Sequence, residues 1–138
     1  MAGFLVDTNV LSELRKGERC DAKVRAWLEA REDGDLFISV LALAEIRDGI
    51  EGLRGRDPRE AARLEGWLLE NEMHFGERVL PVTARVAERW GRLRYEQPLP
   101  DFDRLLAATA AEHGLEIATR NAGDFARSGV GAVNPWEG

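Results

Sequence analysis

Short apolar runs alternate with longer amphipathic stretches along most of this chain. The apolar runs are short enough to be strands, and the stretches between them carry apolar residues at helical spacing. The runs predict strands at residues 4–6, 36–38, 79–82, 115–119 and 132–133. Strands that alternate with helices in this way form a parallel sheet with helices on both faces. The pattern therefore predicts an α/β fold of three layers, α/β/α, around a central, mostly parallel sheet of four to five strands.

Residues that cap helices stand where the amphipathic stretches begin. Thr8 or Asn9 is expected to cap a first helix that runs from residue 10 to 14. Further caps are predicted at Asp21, Ser39, Thr83 and Asp101. Gly114 follows the helix predicted at 102–113, in the position where glycine commonly ends a helix.

Two other features concern the middle of the chain. The helix predicted at 60–73 is expected to turn Leu64, Trp67, Leu68 and Met73 inward. Pro81 weakens the strand at 79–82, because proline cannot donate a ladder hydrogen bond. Residues 55–58 are predicted to form a loop, and residues 97–100 a stiff connector.

Composition and charge narrow the class of protein. The chain has 138 residues, of which 44% are hydrophobic and 32% charged, which fits one globular domain over 1–138. Cys20 is the single cysteine, so no internal disulfide can form, and this fits a reducing cytosol. No apolar run approaches the roughly 20 residues of a membrane span. We therefore expect a soluble, cytoplasmic protein with no membrane partner.

The formal net charge is −6. The field of the whole protein therefore does not attract nucleic acid, and an RNA partner would have to bind local basic patches. One cysteine and two histidines, His74 and His113, cannot form a histidine-rich zinc site. Any metal ion must be held mostly by oxygen atoms.

Acidic and amide side chains fall where the strands end. Asp7 follows the first strand, Glu45 lies early in the helix after the second, and Asp103 stands in the first turn of the 102–113 helix. Asn121 and Asp124 follow the strand at 115–119. Ligands bind beyond the carboxyl ends of parallel strands, so these side chains are expected to share one edge of the sheet.

Several carboxylates brought close together repel one another, and a hard divalent cation such as Mg²⁺ or Mn²⁺ removes that conflict. Such an ion also makes a bound water more acidic and offsets charge on a phosphoryl oxygen, which points to phosphodiester hydrolysis. Each acid also has a purely structural interpretation. Asp7 and Asp101 can cap helices, Asp103 can complement a helix dipole, Asp124 can form a turn and Glu45 can simply be solvated.

Five segments in this order resemble the motifs of PIN-domain ribonucleases, and most closely those of VapC-type toxins of bacterial toxin–antitoxin pairs, in the FitB-like branch. The segments are residues 5–11 (LVDTNVL), 39–46 (SVLALAEI), 103–110 (DRLLAATA), 119–125 (TRNAGDF) and 133–136 (VNPW). The resemblance implies the PIN fold and an endoribonuclease that uses Mg²⁺ or Mn²⁺ to cut RNA. It also implies a homodimer or a toxin–antitoxin hetero-oligomer, and inhibition by a cognate VapB-type antitoxin.

The resemblance also implies roles for individual residues. Asp7 and Asp103 are expected to ligate the metal directly, while Glu45 orients a metal-bound water and accepts its proton. Family members have Asp or Asn at the position of Asn121, and asparagine carries no charge. The fourth acid is therefore either Asp124, acting through water, or absent. The expected supporting or substrate-binding residues are Thr8, Asn9, Thr119, Arg120 and Asn121, with Arg47 and Arg104 as further candidates for phosphate contacts. Three tryptophans can each lie in the core, at a dimer interface or in contact with an antitoxin, namely Trp67, Trp90 and Trp136.

Two other functions compete with this one. A module that keeps the fold but binds without catalysis is favoured by Asn121 and by the net negative charge. A phosphohydrolase with Asp7 as nucleophile is disfavoured, because haloacid-dehalogenase-type enzymes need an aspartate two residues later, where this chain has Asn9. The intact acids at positions 7, 45 and 103 favour the nuclease.

Overall fold

Five short strands form one parallel sheet at the centre of the molecule. The computed structural model describes residues 3–96 and 99–137. The strands are β1 (Phe4–Val6), β2 (Leu36–Ser39), β3 (Val79–Leu80), β4 (Glu116–Ala118) and β5 (Ala132–Val133). Their spatial order is β3-β2-β1-β4-β5, and every neighbouring pair is parallel. The predicted parallel sheet is confirmed, with five strands.

The helices account for most of the remaining chain. They are α1 (Thr8–Leu14), α2 (Ala22–Glu29), α3 (Val40–Arg54), α4 (Pro58–Phe75), α5 (Ala84–Glu96), α6 (Asp101–His113) and α7 (Ala122–Phe125). No helix in the described part of the chain is both long and apolar enough to cross a membrane.

Alternate residues of β1 supply the cores on the two faces of the sheet. Phe4 and Val6 pack with α1, α2, α3 and the end of α4, whereas Leu5 packs with α6 and α7. Successive strand side chains point to opposite faces, so a continuously apolar strand is what a doubly covered sheet requires. A smaller apolar cluster, which includes Ile50 and Leu64, joins α3 to α4. The three-layer arrangement predicted from the sequence is confirmed.

Several predicted helix boundaries are confirmed by hydrogen bonds. The side chain of Asp21 accepts from the amides of Lys23 and Val24, Ser39 Oγ accepts from Leu41 N, and Thr83 Oγ1 accepts from Val86 N. Gly114 ends α6 with φ +66°, the left-handed conformation in which glycine avoids a Cβ penalty.

Other local predictions were wrong. Helix α1 begins at Thr8, and its cap is Asp7 rather than Thr8 or Asn9. Asp101 is already the first residue of α6, where Pro100 holds the cap position, so the Asp101 side chain is free to contact Arg104. Met73 is 84% exposed instead of inward-facing, because it lies on the outer side of α4. Strand β3 stops at Leu80, before Pro81. The predicted connector at 97–100 lies partly outside the described residues, which include 99 and 100 but not 97 and 98.

Candidate active site

Asp7 stands at the carboxyl end of β1, the strand on which the order of the sheet reverses. Its backbone N–H donates to Ala118 O at 2.9 Å, so the residue prolongs the pairing of β1 with β4. Its Oδ1 accepts from Thr8 N at 2.7 Å, and its Oδ2 accepts from Thr119 Oγ1 at 2.8 Å. The side chain therefore caps α1 and at the same time presents a fixed carboxylate at the switch point of the sheet.

Thr119 ties the ends of the two central strands together. Its side chain is fully buried, and its hydroxyl contacts Asp7, the side-chain amide of Asn9 at 3.5 Å and the backbone N–H of Asn121 at 3.1 Å. Asn9 Oδ1 in turn accepts from Arg120 N at 3.3 Å. The loop after β4 is thereby fixed to the start of α1, and Thr119 and Asn9 both lie beside the Asp7 carboxylate.

Glu45 reaches the same edge from α3. Thr8 Oγ1 donates to Glu45 Oε1 at 2.7 Å, which links α1 to α3 across 37 residues of sequence. The bond uses one carboxylate oxygen of Glu45. The residue is exposed, so its other oxygen can accept a proton or contact a water.

Asp103 and Asp124 complete the group of acids. Burial raises the pKa of Asp103 above its ordinary value, and the negative charges of Asp124 and Glu45 raise it further. Burial also raises the pKa of Asp7, as do the charges of Asp103 and Glu45, against the hydrogen bonds from Thr119 and Thr8 that lower it. Asp103 and Glu45 are thus close enough to act on Asp7, and Asp124 and Glu45 close enough to act on Asp103.

The donor chemistry of this cluster suits a small hard cation. No three histidine, cysteine or acidic side chains among residues 3–96 and 99–137 are arranged so that all could hold one ion directly. Mg²⁺ commonly takes only one or two protein carboxylates and keeps several waters. Two half-buried aspartates, Asp7 and Asp103, with the exposed acids Glu45 and Asp124 nearby, therefore fit such an ion. A cation there would also relieve the repulsion that raises the pKa values of Asp7 and Asp103.

The arginines proposed as phosphate contacts differ in their surroundings. Arg47 is paired with Glu51 and with Glu65 of α4, so it is committed to the α3–α4 contact. Arg104 is only 5% exposed, and it donates to Leu99 O and pairs with Asp101. The buried Arg104 is not available to a phosphate, and that prediction was wrong, whereas the prediction for the partly exposed Arg47 stays a prediction.

Arg120 remains available beside the acids. Its guanidinium carbon lies 4.7 Å from the centre of the Trp136 ring, and its backbone carbonyl accepts from Asn134 Nδ2 at 3.2 Å. The stacking holds an exposed cation in place next to the loop that carries Asn121. The supporting contribution of Asn134 was missed from the sequence, although it lies in the last of the five motifs.

The remaining residues singled out from the sequence have ordinary surroundings. Asn121 is exposed, and its backbone carbonyl accepts from Asp124 N, which starts α7. The rings of Trp67 and Trp90 are half-buried, as is that of Trp136. Trp67 packs against the α3–α4 cluster, and Arg104 lies over Trp90.

The sequence profile of the PIN domain matches residues 4–130 of this chain. The chain belongs to the PIN-domain family. The VapC ribonuclease Y4jK of Sinorhizobium fredii is 34% identical to it, over 97% of this chain and 98% of the relative. The toxin FitB of Neisseria gonorrhoeae is 32% identical, over 96% of this chain and 98% of the relative.

Solved structures are similar to this PIN domain over nearly its whole length. The crystal structure of FitAcB from Neisseria gonorrhoeae superposes with a TM-score of 0.88 at 31% identity, covering 96% of this chain and 98% of that one. A toxin–antitoxin complex from Klebsiella pneumoniae gives a TM-score of 0.69 at 28% identity, covering 97% and 98%. The resemblance to PIN-domain proteins drawn from the five motifs is confirmed.

Proposed function

We propose that this protein is a metal-dependent endoribonuclease, the toxin of a toxin–antitoxin pair, acting as a single PIN domain over residues 1–138. The observation that carries the proposal is the fixed, half-buried carboxylate of Asp7, close to Glu45 and Asp103, with Asp124 close to Asp103. Relatives named as a ribonuclease and as a toxin, each about one third identical over almost the entire chain, support it.

The raised pKa values of Asp7 and Asp103 argue that these acids belong to a functional site. Acids placed so that they repel one another destabilise the folded protein unless a ligand offsets the charge. Natural proteins keep such strained groups mainly at functional sites. Burial opposes the ionisation of Asp7 and Asp103 most, and neighbouring acids add to it, so a bound cation would stabilise both carboxylates.

The proposed role of each site residue follows from its position. Asp7 and Asp103 are the proposed direct ligands of Mg²⁺ or Mn²⁺. When bound there, the ion supplies a more acidic water and neutralises charge on a phosphoryl oxygen. Thr119 and the amide of Thr8 favour the ionised form of the Asp7 carboxylate and hold it in one orientation. Asp124 is exposed and acts through water.

Glu45 is the proposed proton acceptor. The Thr8 hydroxyl holds Oε1, so Oε2 is left to take the proton of the attacking water. Arg120, steadied on Trp136, is placed to contact a phosphate of the RNA. Attack by water on the phosphorus with departure of the 3′ oxygen leaves a 5′-phosphate and a 3′-hydroxyl.

The partners follow from the relatives. A cognate antitoxin of the VapB type is the proposed inhibitor, because a similar structure is a toxin–antitoxin complex. The proposed assembly is a homodimer or a toxin–antitoxin hetero-oligomer. The proposed location is the cytoplasm, which also suits a chain with a single cysteine.

Cleavage of total RNA by Asp7→Asn and Asp103→Asn variants tests the proposal. We expect at least a 100-fold loss of cleavage in both, and loss of cleavage by the parent in EDTA with recovery in Mg²⁺ or Mn²⁺. Asp101→Asn is the matched control, because Asp101 lies two residues from Asp103, its side chain is 81% exposed, and asparagine can still accept from Arg104. Undiminished cleavage by the Asp103→Asn protein would refute the assignment.

A thermal melt with and without Mn²⁺ gives a second readout that does not depend on finding the RNA target. An ion that binds only the folded state stabilises it by about 2.7 kcal/mol at 100 times its dissociation constant. The rise in melting temperature is expected in the parent and in Asp101→Asn, and not in Asp103→Asn. A parent protein that neither cleaves RNA nor gains stability from metal would instead be a binding module.

A further inference from the structure

A cleft of about 520 Å³ leads away from the proposed catalytic acids between α1, α3 and α4. Thr8 and Glu45, which are joined by a hydrogen bond, form part of its wall. The cleft is therefore continuous with the site where the scissile phosphate would be bound. An RNA strand whose scissile phosphate lies at the acids must continue along the surface of the protein. The cleft adjoins the acids and offers such a path.

The charge of the cleft is opposite to that of the protein. Five cationic side chains line it, Arg15, Lys16, Arg19, Arg56 and Arg63, against the two acids Glu45 and Glu60. The protein as a whole carries −6. Because the protein as a whole is negatively charged, a polyanion can bind only where positive side chains are concentrated. The cleft is such a place.

Three of these cations are uncommitted. Lys16 is paired with Glu13, and Arg63 makes two hydrogen bonds to Glu60. Within the described residues, Arg15, Arg19 and Arg56 form no ion pair, and all three are exposed. Their guanidinium groups are therefore free to make bidentate contacts with phosphate oxygens.

The floor of the cleft is apolar. It consists of Ile46, Ile50, Leu53, Leu64 and the half-buried Trp67. A single strand with its phosphates along the arginines can place its bases against these apolar side chains. In a duplex the bases are paired with each other and cannot make this contact. Flat aromatic and apolar surfaces beside a cationic track are typical of sites for single-stranded nucleic acid.

We propose that this cleft binds the single-stranded RNA that flanks the scissile phosphate, with Arg15, Arg19 and Arg56 contacting successive parts of its backbone. The inference rests on the proposed function, since it extends the same substrate away from the catalytic acids. It assigns to these three arginines the positioning of RNA and no part in the bond cleavage.

Binding of a fluorescein-labelled, mixed-sequence 12-nucleotide RNA, followed by anisotropy across a range of salt concentrations, tests the proposal. All proteins carry Asp103→Asn, so that the RNA stays intact. The test protein adds Arg15→Gln, Arg19→Gln and Arg56→Gln. The control adds Arg85→Gln, Arg89→Gln and Arg92→Gln on α5, which removes the same charge from exposed arginines outside the cleft. Thermal melts verify that both triple variants are folded.

The cleft variant is expected to bind the RNA at least about fivefold more weakly, since each exposed charge contact contributes modestly. Its plot of log affinity against log salt should flatten by about 2, because each phosphate contact of a single strand contributes roughly 0.7 to the slope. The control should change neither quantity beyond the effect of net charge. Loss of affinity in the cleft variant alone supports the proposal.

Equal binding by the cleft and control variants would overturn it, and so would the absence of measurable binding by the protein with Asp103→Asn alone. If the cleft variant keeps its RNA affinity but no longer binds the protein that inhibits the parent, the cleft is a protein-docking surface and the proposal is wrong. None of these results bears on the dependence of cleavage on Asp103, so the proposed nuclease activity is judged separately.

Discussion

Replacement of Thr119 with valine removes one hydroxyl from the centre of the site and keeps nearly the same shape. That hydroxyl donates to Asp7 Oδ2 at 2.8 Å from a fully buried position. A hydrogen bond to a charged group contributes about 1.5–3 kcal/mol to stability. We expect the variant to lose that amount at pH 7 without metal, as measured by urea unfolding in EDTA.

The loss should depend on pH in a defined direction. The bond from Thr119 lowers the pKa of Asp7, although burial leaves that pKa above 3.8 overall. An aspartate whose pKa is raised by folding costs stability as the pH rises through the interval above 3.8, and it costs nothing once the pH is low enough to protonate it in both states. Without Thr119 the pKa of Asp7 rises further, so this cost grows. The difference between parent and Thr119→Val should therefore increase with pH from about 3 to 7 and shrink on acidification.

Thr109→Val is the matched control for this experiment. Thr109 is also fully buried, but its hydroxyl donates to the carbonyl of Leu105 within α6 rather than to a carboxylate. Its replacement should cost less, and the cost should not change with pH. The two variants would refute the role assigned to Thr119 if their losses were equal, or if the loss in Thr119→Val were the same at pH 4 and pH 7.

Three further predictions concern residues around the site and the end of α6. Asp103→Asn should raise the melting temperature in EDTA at pH 7, because the folded environment raises the pKa of Asp103 and so opposes its ionised form. The gain, measured by differential scanning fluorimetry, should fade as the pH approaches 3.8. Arg104→Met should lower the free energy of unfolding by about 1–3 kcal/mol in urea, through loss of the hydrogen bond to Leu99 O and the stacking on Trp90, and an unchanged urea midpoint would contradict this. Gly114→Ala places a Cβ at φ +66° and should cost about 1 kcal/mol by the same measurement, whereas a stabilised variant would show that this end of α6 adapts freely.

Much of the fold follows from local chemistry in the sequence. The uniformly apolar β1 is what a strand covered on both faces needs, and Asp21, Ser39 and Gly114 mark helix ends through bonds made within a few residues. The edge on which the acids converge was predictable too. Parallel strands send their carboxyl ends to one side, and the polar residues follow those ends.

The features that the sequence did not predict depend on contacts that local pattern does not contain. Arg47 pairs with Glu65, which is 18 residues away on the next helix. Arg104 is buried because α5 packs over it and supplies Trp90. Met73 fits the helical spacing of α4, but at this end of the helix Phe75 takes the buried position in the core and Met73 faces outward. The cleft between α1, α3 and α4 likewise exists only once the three helices are assembled.

The pairing of Asp7 with Thr119 spans 112 residues, and β1 lies between a strand from the first third of the chain and a strand from the last. During synthesis, a nascent chain that has not yet released residue 119 from the ribosome has no partner on that side of β1 and no hydroxyl to fix Asp7. Long-range pairings of this kind also form late and slowly in folding. The site around Asp7 is therefore completed only after the last third of the chain has emerged, and a nascent chain held short of residue 119 carries its acids without this arrangement.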